Sequence, residues 1–171
     1  MLLSIDTSTQ WIGLALYDGV QVLAESLWQA RGRHTVEMAP AIQDLLKRSG
    51  FAPAQLNAIA VALGPGSFTG LRIAAGIVQG LAFGLGIPVI SVSSLAVMAH
   101  RAYREHGWQA VHAAIDARMG EVYWGSFRIS GWGQVELLGR EVVCAPSTVV
   151  STAALPAEAL ATDTWAGCGT G

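Results

Sequence analysis

The sequence predicts an α/β fold of two lobes, each with a mixed β-sheet, and three observations lead to that prediction. Apolar runs of strand length alternate with amphipathic helical segments through the first 107 residues. A glycine-rich stretch, GPGSFTG at 64–70, joins a buried strand to a long helix. The dipeptide Ile5-Asp6, followed by a strand, recurs as Ile115-Asp116, also followed by a strand. A repeat of this kind predicts two lobes that begin in the same way.

The first lobe is predicted over residues 1–107, with the element order β-β-β-α-β-α-β-α. The polar tip Asp6-Thr7-Ser8-Thr9 and the turn Asp18-Gly19 separate three strand-length runs, which favours an antiparallel meander. A helix with apolar residues at helical spacing follows, and Gly50 ends it. The predicted strands are 1–6, 11–17, 20–28, 56–63 and 87–92, and the predicted helices are 34–48, 68–84 and 95–106.

The second lobe is predicted over 108–171, after a boundary at Gly107-Trp108. Strands are expected near 112–116, 121–127 and 135–143, with a short helix from Pro146 and a turn at 156–160. The last residues, from Trp165, predict a strand and a glycine-rich loop with no helix after it. We therefore expect this lobe to be incomplete at its C-terminal end.

Composition excludes several classes of protein. The formal net charge of −2 gives no basic field, so stand-alone binding to nucleic acid is not expected. Cys144 and Cys168 lie far apart and fit no paired motif, which is typical of reduced cytoplasmic thiols. Asp6 interrupts the apolar start, so no signal peptide is predicted. The most apolar window, 74–90, contains Gln79, Pro88 and several glycines, and no membrane span is predicted.

The glycine-rich stretch has the geometry, but not the residues, of a phosphate-binding loop. A strand, a tight turn and a helix present backbone N–H groups at the helix N-terminus. The P-loop motif requires a Lys where Leu71 stands, and the dinucleotide motif requires a Gly where Thr69 stands. Neither standard nucleotide motif is therefore present. Ser67 or Thr69 is expected to cap the helix.

The string GPGSFTGLRIAAG at 64–76 closely resembles the hallmark loop of the bacterial TsaB (YeaZ) family, a partner in making threonylcarbamoyladenosine in tRNA. The resemblance covers nearly the whole chain and includes the residues at 5–8, His34, Asp116-Ala117-Arg118 and the residues at 121–123. It implies the two-lobe fold of the ASKHA superfamily (actin, Hsp70 and sugar kinases), with RNase H-like mixed sheets.

The resemblance also implies a function and a set of partners. It implies a non-catalytic subunit without a cofactor, which pairs with a second copy of itself when alone, and the composition is typical of a soluble cytoplasmic protein. Its implied partner is the catalytic paralogue TsaD, which transfers threonylcarbamoyl from threonylcarbamoyl-adenylate to the adenosine beside the anticodon. A small ATPase, TsaE, joins that complex, and tRNA is contacted only through it.

The tip Asp6-Thr7-Ser8-Thr9 is a candidate for a vestigial nucleotide contact. In ASKHA kinases, an Asp at the position matching Asp6 helps to hold metal and phosphate. The alternative is a hairpin tip whose side chains bond the local backbone. The absence of a second phosphate loop from the sequence favours that alternative. In the repeat, Arg118 and Met119 stand where such a loop would have Gly and Thr.

No metal site and no catalytic residue are predicted. The catalytic paralogue holds a metal with two His four residues apart on a helix, but Met38 stands four residues after His34. Glu37 would give His34 only one partner, and His100, His106 and His112 are expected on another helix and the linker after it. Ser67 is not in a nucleophile-elbow motif and has no evident His partner. Some relatives are described as proteases, and this sequence gives no support for that activity.

Two enzymatic alternatives remain open. An active ASKHA phosphotransferase or ATPase would require a second phosphate loop. A metallopeptidase-like enzyme would require the paired His that Met38 replaces.

Glycines recur at every fourth position in the helix after the loop, at Gly76, Gly80 and Gly84. Each costs roughly 1 kcal/mol relative to Ala in a helix interior, and close approach of another backbone is the usual reason for such glycines. The glycines could instead allow the helix to pack on its own sheet, and the pattern favours neither explanation. The resemblance favours pairing with another protein chain through helices of the first lobe. The predicted interface residues are His34, Met38, Ile42, Leu71, Ile73, Gly76, Ile77, Gly80 and Phe83.

Overall fold

The computed structural model describes residues 1–30, 32–131, 133–149 and 164–170. The chain divides into two compact units, Met1–Val92 and Ser93–Gly171. Each unit is built on its own mixed β-sheet, as the sequence predicts.

The first unit has a five-stranded sheet in the order β3-β2-β1-β4-β5. β1 pairs antiparallel with β2 and parallel with β4, β2 pairs antiparallel with β3, and β4 pairs parallel with β5. Its elements are β1 (Leu2–Asp6), β2 (Trp11–Tyr17), β3 (Val22–Gln29), α1 (His34–Arg48), a 3₁₀ turn (Pro53–Gln55), β4 (Ala58–Ala62), α2 (Phe68–Leu85) and β5 (Val89–Val92).

One core joins the buried face of this sheet to α1 and α2. β2 alternates between buried and half-exposed positions, as a strand with one covered face must. α1 buries a full apolar stripe, whereas α2 buries only Gly70, Ala74 and Val78. Much of α2 is therefore left outside the core.

The second unit repeats the strand order of the first with one strand fewer among its described residues. Its sheet has the order β8-β7-β6-β9, in which β6 pairs antiparallel with β7 and parallel with β9, and β7 pairs antiparallel with β8. Its elements are α3 (Ser94–His106), β6 (Ala110–Arg118), β7 (Glu121–Ile129), β8 (Val135–Cys144), a 3₁₀ turn (Pro146–Thr148) and β9 (Ala166–Gly169). The turn predicted at 156–160 lies outside the described residues.

The boundary between the two compact units follows Val92, which is earlier in the chain than the lobe boundary expected after residue 107. α3 begins the second unit, because its buried residues Leu95 and Ala99 pack with Val111 and Phe127 of the second sheet. A sequence pattern shows that a helix has an apolar face but not which sheet that face covers. His112 lies within β6, in agreement with the strand expected near 112–116 and not with the linker position considered for this histidine.

The β6–β7 hairpin turns through a backbone conformation that its side chains disfavour. Arg118, Met119 and Gly120 all have positive φ, at 71°, 56° and 79°. Two central residues with positive φ are the mark of a type I′ turn, which favours Asn-Gly. The side chain of Met119 is 98% exposed and so gains no packing in return for this strain.

Met119→Asn is expected to raise the free energy of unfolding by roughly 1 kcal/mol, because Asn tolerates the left-handed region that costs other residues about 1–2 kcal/mol. Urea denaturation of the purified chain measures the change. Met119→Leu is the matched control, since it keeps the strain and should gain nothing. A Met119→Asn variant no more stable than Met119→Leu would show that the turn is unstrained.

Candidate functional site

Three polar segments of the first unit meet at one edge of its sheet. β1, β3 and β4 run in the same direction, so their carboxyl ends share that edge. The tip 6–9 follows β1, the glycine loop 64–70 follows β4, and α1 begins shortly after β3. In open α/β sheets this edge is where ligands commonly bind.

The tip and the glycine loop are bonded to each other. The Thr7 hydroxyl donates to the carbonyl oxygen of Gly70 at 2.8 Å, and the Ser67 N–H donates to the carbonyl oxygen of Ser8 at 2.6 Å. Thr7 is fully buried, and Ser8 is buried as well. We call this set of contacts the tip–loop clamp.

Two glycines of the loop are required by the clamp. A Cβ at Gly66 would overlap the carbonyl oxygen of Ser8, and a Cβ at Gly70 would overlap that of Thr7. The obstructing atoms are main-chain atoms, which cannot rotate away. The Ser67 N–H, which a phosphate loop would present to a ligand, is used within the protein. Ser67 also caps α2, because its hydroxyl accepts the N–H of Gly70 at 3.3 Å.

Asp6 stabilises the tip locally. Its Oδ1 accepts the N–H of Ser8 at 2.8 Å, and Thr9 Oγ1 accepts the N–H of Trp11 at 3.0 Å. These are the side-chain-to-backbone bonds of a turn. The geometry therefore supports the local-turn interpretation of residues 6–9, although Asp6 is only half-buried and Thr9 is exposed.

His34 opens α1 and is 8% exposed, with Nε2 buried and without a hydrogen-bond partner in the described part of the chain. Glu37, its one candidate co-ligand, is engaged elsewhere. It accepts the indole N–H of Trp28 at 2.9 Å and lies 3.2 Å from Nε of Arg33. Over the described residues, no three His, Cys, Asp or Glu side chains are grouped so that they could hold a metal ion.

The structure divides the predicted interface residues into two groups. Met38 and Ile42 are core residues, so the expectation that their side chains face a partner needs correction. Their apolar spacing reflects packing within the unit, and His34 is buried with them. Ile73 and Ile77 are half-buried against the same core, and Leu71 is half-buried as well.

The remaining predicted interface residues, Gly76, Gly80 and Phe83, lie on an open and largely apolar surface of α2. Phe68 and Phe83 are 68% and 93% exposed, and a Cβ at Gly76, Gly80 or Gly84 would meet nothing within 4 Å. The glycines therefore do not pack on the unit's own sheet. We call this surface, made of Phe68, Arg72, Gly76, Gly80, Phe83 and Gly84, the α2 glycine face.

α2 carries only one charged residue, Arg72, whose guanidinium lies 3.9 Å from the ring centroid of Phe68. By length and composition alone α2 also qualifies as a membrane span, and 17% of that window is buried. A single helix of this kind among the described residues is weak evidence for a membrane protein.

Comparison with known proteins identifies the family. A solved structure of a Pseudomonas aeruginosa protein, described as uncharacterized with similarity to peptidase YeaZ, matches with a TM-score of 0.87 and 44% identity over 97% of this chain and 74% of that one. Escherichia coli K12 TsaB, described as a tRNA threonylcarbamoyladenosine biosynthesis protein, is 47% identical over 127 residues, 74% of this chain and 54% of that protein. This chain belongs to the TsaB (YeaZ) family.

Other matches agree with membership of the TsaB family. YeaZ from P. aeruginosa matches with a TM-score of 0.79 and 46% identity, over 85% of this chain and 67% of that one. A family model described as TsaD, tRNA N6-adenosine threonylcarbamoyltransferase, matches residues 28–164. The predicted α/β fold with two mixed sheets is confirmed, and the YeaZ structures share it. The chain spans about half the length of the curated TsaB relatives it matches.

The tip–loop clamp was not predicted from the sequence. Asp6-Thr7-Ser8 and the glycine loop were each recognisable, but the bond between Thr7 and Gly70 joins residues 63 apart. No local pattern signals such a contact. One sequence feature could have indicated the clamp. Gly66 and Gly70 are present in a loop that matches neither standard phosphate-binding motif, so they need another structural reason.

Proposed function

We propose that this chain acts in the formation of threonylcarbamoyladenosine in tRNA, as a non-catalytic scaffold subunit in the cytoplasm. In this role it pairs with a TsaD-like catalytic paralogue, and a TsaE-like ATPase joins the pair. Support comes from family membership and from the description of its relatives as tRNA threonylcarbamoyladenosine biosynthesis proteins. The net charge of −2 favours contact with tRNA only through the complex.

The α2 glycine face is the observation that carries the scaffold role. A helix that exposes two phenylalanines and three glycines is poorly suited to water and well suited to close helix packing. The free protein is expected to cover this face by pairing with a second copy of itself. A paralogue with the same fold would replace one copy, so the self-pair is a resting form.

The tip–loop clamp supports the non-catalytic part of the proposal. Residues that could surround a phosphate, Thr7, Ser8 and the N–H of Ser67, are buried or bonded to each other. A nucleotide would have to displace these contacts before it could bind there. The site therefore favours a structural role over phosphate chemistry.

The test is a reconstituted modification assay with the paralogue, the ATPase, threonylcarbamoyl-adenylate and unmodified tRNA. Leaving out this chain should abolish most modification, whereas Asp6→Ala should keep activity within about threefold of the wild type. Asp6→Asn is the matched control, because it removes the charge but keeps an oxygen that can accept the N–H of Ser8. Loss of activity in both folded variants would make this chain a nucleotide-handling subunit.

A further inference from the structure

The chain has six sulfur-containing side chains, four of methionine and two of cysteine, and all six lie in the described ranges. They differ widely in their access to solvent. Met119 is 98% exposed, whereas Met38 is fully buried in the core of the first unit. Met1 and Met98 are half-buried, and each packs against the core of its own unit. Met119 is therefore the one methionine whose side chain is open to solvent along its whole length.

The two cysteine thiols are poorly placed to react with an oxidant. Cys144 is buried in a small cluster with Val122 and Val149. Cys168 is half-buried against the core of the second unit, and burial raises the pKa of its thiol. Peroxides react with the thiolate, so a raised pKa lowers the reactive fraction of Cys168 at neutral pH. Neither cysteine combines exposure with a readily formed thiolate.

The β6–β7 hairpin places Met119 beyond its last paired residues. Met119 and Gly120 are the central residues of the turn, between the paired Arg118 and Glu121. A Cβ at Gly120 would meet nothing within 4 Å, so the space beside Met119 is open. The N–H and the guanidinium of Arg118 both donate to the carboxylate of Asp116, at 2.8 and 3.3 Å. These bonds hold the turn from its strand side and leave Met119 uncovered.

The first unit shows how open this position is when a loop is bonded to the tip. By the repeat described above, Thr9 corresponds to Met119. The tip–loop clamp buries Thr7 and Ser8, but Thr9 is exposed. A loop bonded in the same way to the tip of the second unit would cover the residues before Met119 and leave Met119 open.

We propose that Met119 is a site of reversible oxidation by peroxides. Hydrogen peroxide transfers one of its oxygen atoms to Sδ of Met119. The O–O bond breaks and an S–O bond forms, so the thioether loses two electrons and becomes a sulfoxide. The peroxide gains those electrons, and its second oxygen leaves with both hydrogens as water.

The position allows oxidation without loss of the fold. Met119 has no packing to lose, so a polar sulfoxide there costs the folded state little. At Met38, in contrast, the same change would place a polar group in the core. A sulfoxide at the tip of a folded hairpin also stays accessible to a methionine sulfoxide reductase, the class of enzyme that returns it to the thioether. Reduction then restores the original protein.

Timed oxidation of the purified chain with dilute hydrogen peroxide, followed by tryptic digestion and mass spectrometry, tests the proposal. Cleavage after Arg118 and Arg128 places Met119 in a peptide with no other sulfur, 119–128. This peptide should gain one oxygen at least tenfold faster than the peptides that carry the other methionines or either cysteine. In concentrated urea, where all four methionines are exposed, their rates should agree within about threefold.

Two variants and a repair step complete the test. Met119→Leu should remove the fast phase, whereas Met98→Leu, the matched control of similar volume, should keep it. Methionine sulfoxide reductase should return the oxidised 119–128 peptide to its original mass, and the circular dichroism of the chain should stay unchanged throughout.

Three results would each overturn the proposal. The first is a fast phase at another sulfur, or equal rates for all methionines in the folded chain. The second is a fast phase that persists in Met119→Leu. The third is oxidation of Met119 that unfolds the chain or that the reductase does not reverse.

Discussion

Gly70→Ala is expected to unfold the first unit or to lower its free energy of unfolding by about 3 kcal/mol or more. The new Cβ would overlap the carbonyl oxygen of Thr7, a main-chain atom next to a fully buried side chain. Relief requires the loop to move away from the tip, which breaks the 2.8 Å bond between the Thr7 hydroxyl and Gly70. Thermal unfolding followed by circular dichroism, with amide exchange of β1 to locate the loss, measures the effect.

The same helix provides the control for Gly70→Ala. Gly80→Ala makes the same chemical change, but its Cβ meets nothing within 4 Å. It should stabilise the chain by roughly 1 kcal/mol, the usual gain when Ala replaces Gly in a helix. If the two variants have equal stability, Gly70 is not in close contact with the tip, and the tip–loop clamp does not contribute to stability as described.

Gly80→Leu is expected to weaken pairing at the α2 glycine face at least tenfold, which corresponds to about 1.4 kcal/mol or more. A leucine in the middle of the glycine row holds an opposing helix away along its length, because close approach depends on small residues. The fold should be unaffected, since the position is open. Sedimentation velocity measures self-association, and titration with the catalytic paralogue measures the mixed pair.

Modified tRNA should fall in parallel with pairing, because the two pairs are proposed to use one surface. Gly80→Ala is again the matched variant, because it also replaces the glycine with a better helix-forming residue but adds only one methyl group. It should keep most pairing and activity. A folded Gly80→Leu protein that sediments unchanged and supports full modification would remove the α2 glycine face from the proposed function. The family assignment would stand in that case, since it rests on similarity over most of the chain.

The sequence predicted element types well, and the errors at their ends have local causes. β3 begins at Val22, later than expected, because Asp18 Oδ1 accepts the N–H groups of Val20 and Gln21 and holds them in a turn. β4 begins at Ala58 because the Leu56 N–H closes the preceding 3₁₀ turn on Pro53. In both cases, local turn hydrogen bonds compete with strand pairing at the start of the strand. Strand propensity does not include such bonds.

The site was predicted less completely, because its main features depend on contacts between distant segments. Met38 and Ile42 have the spacing of any amphipathic helix, and that spacing does not distinguish a core from a partner surface. The α2 glycines were recognisable in the sequence because each one destabilises a helix relative to Ala. The open space around them in the structure is what favours packing against a partner rather than against the unit's own sheet.

The position of β1 in its sheet has a consequence during synthesis on the ribosome. β1 lies between β2, which follows it directly, and β4, which is made only after β3 and α1. Until Ala58–Ala62 emerges, one edge of β1 has no strand to pair with, although Leu3 and Ile5 are already present. An unpaired apolar edge is prone to association with other chains. The growing polypeptide therefore has an exposed apolar strand edge between completion of α1 and arrival of β4.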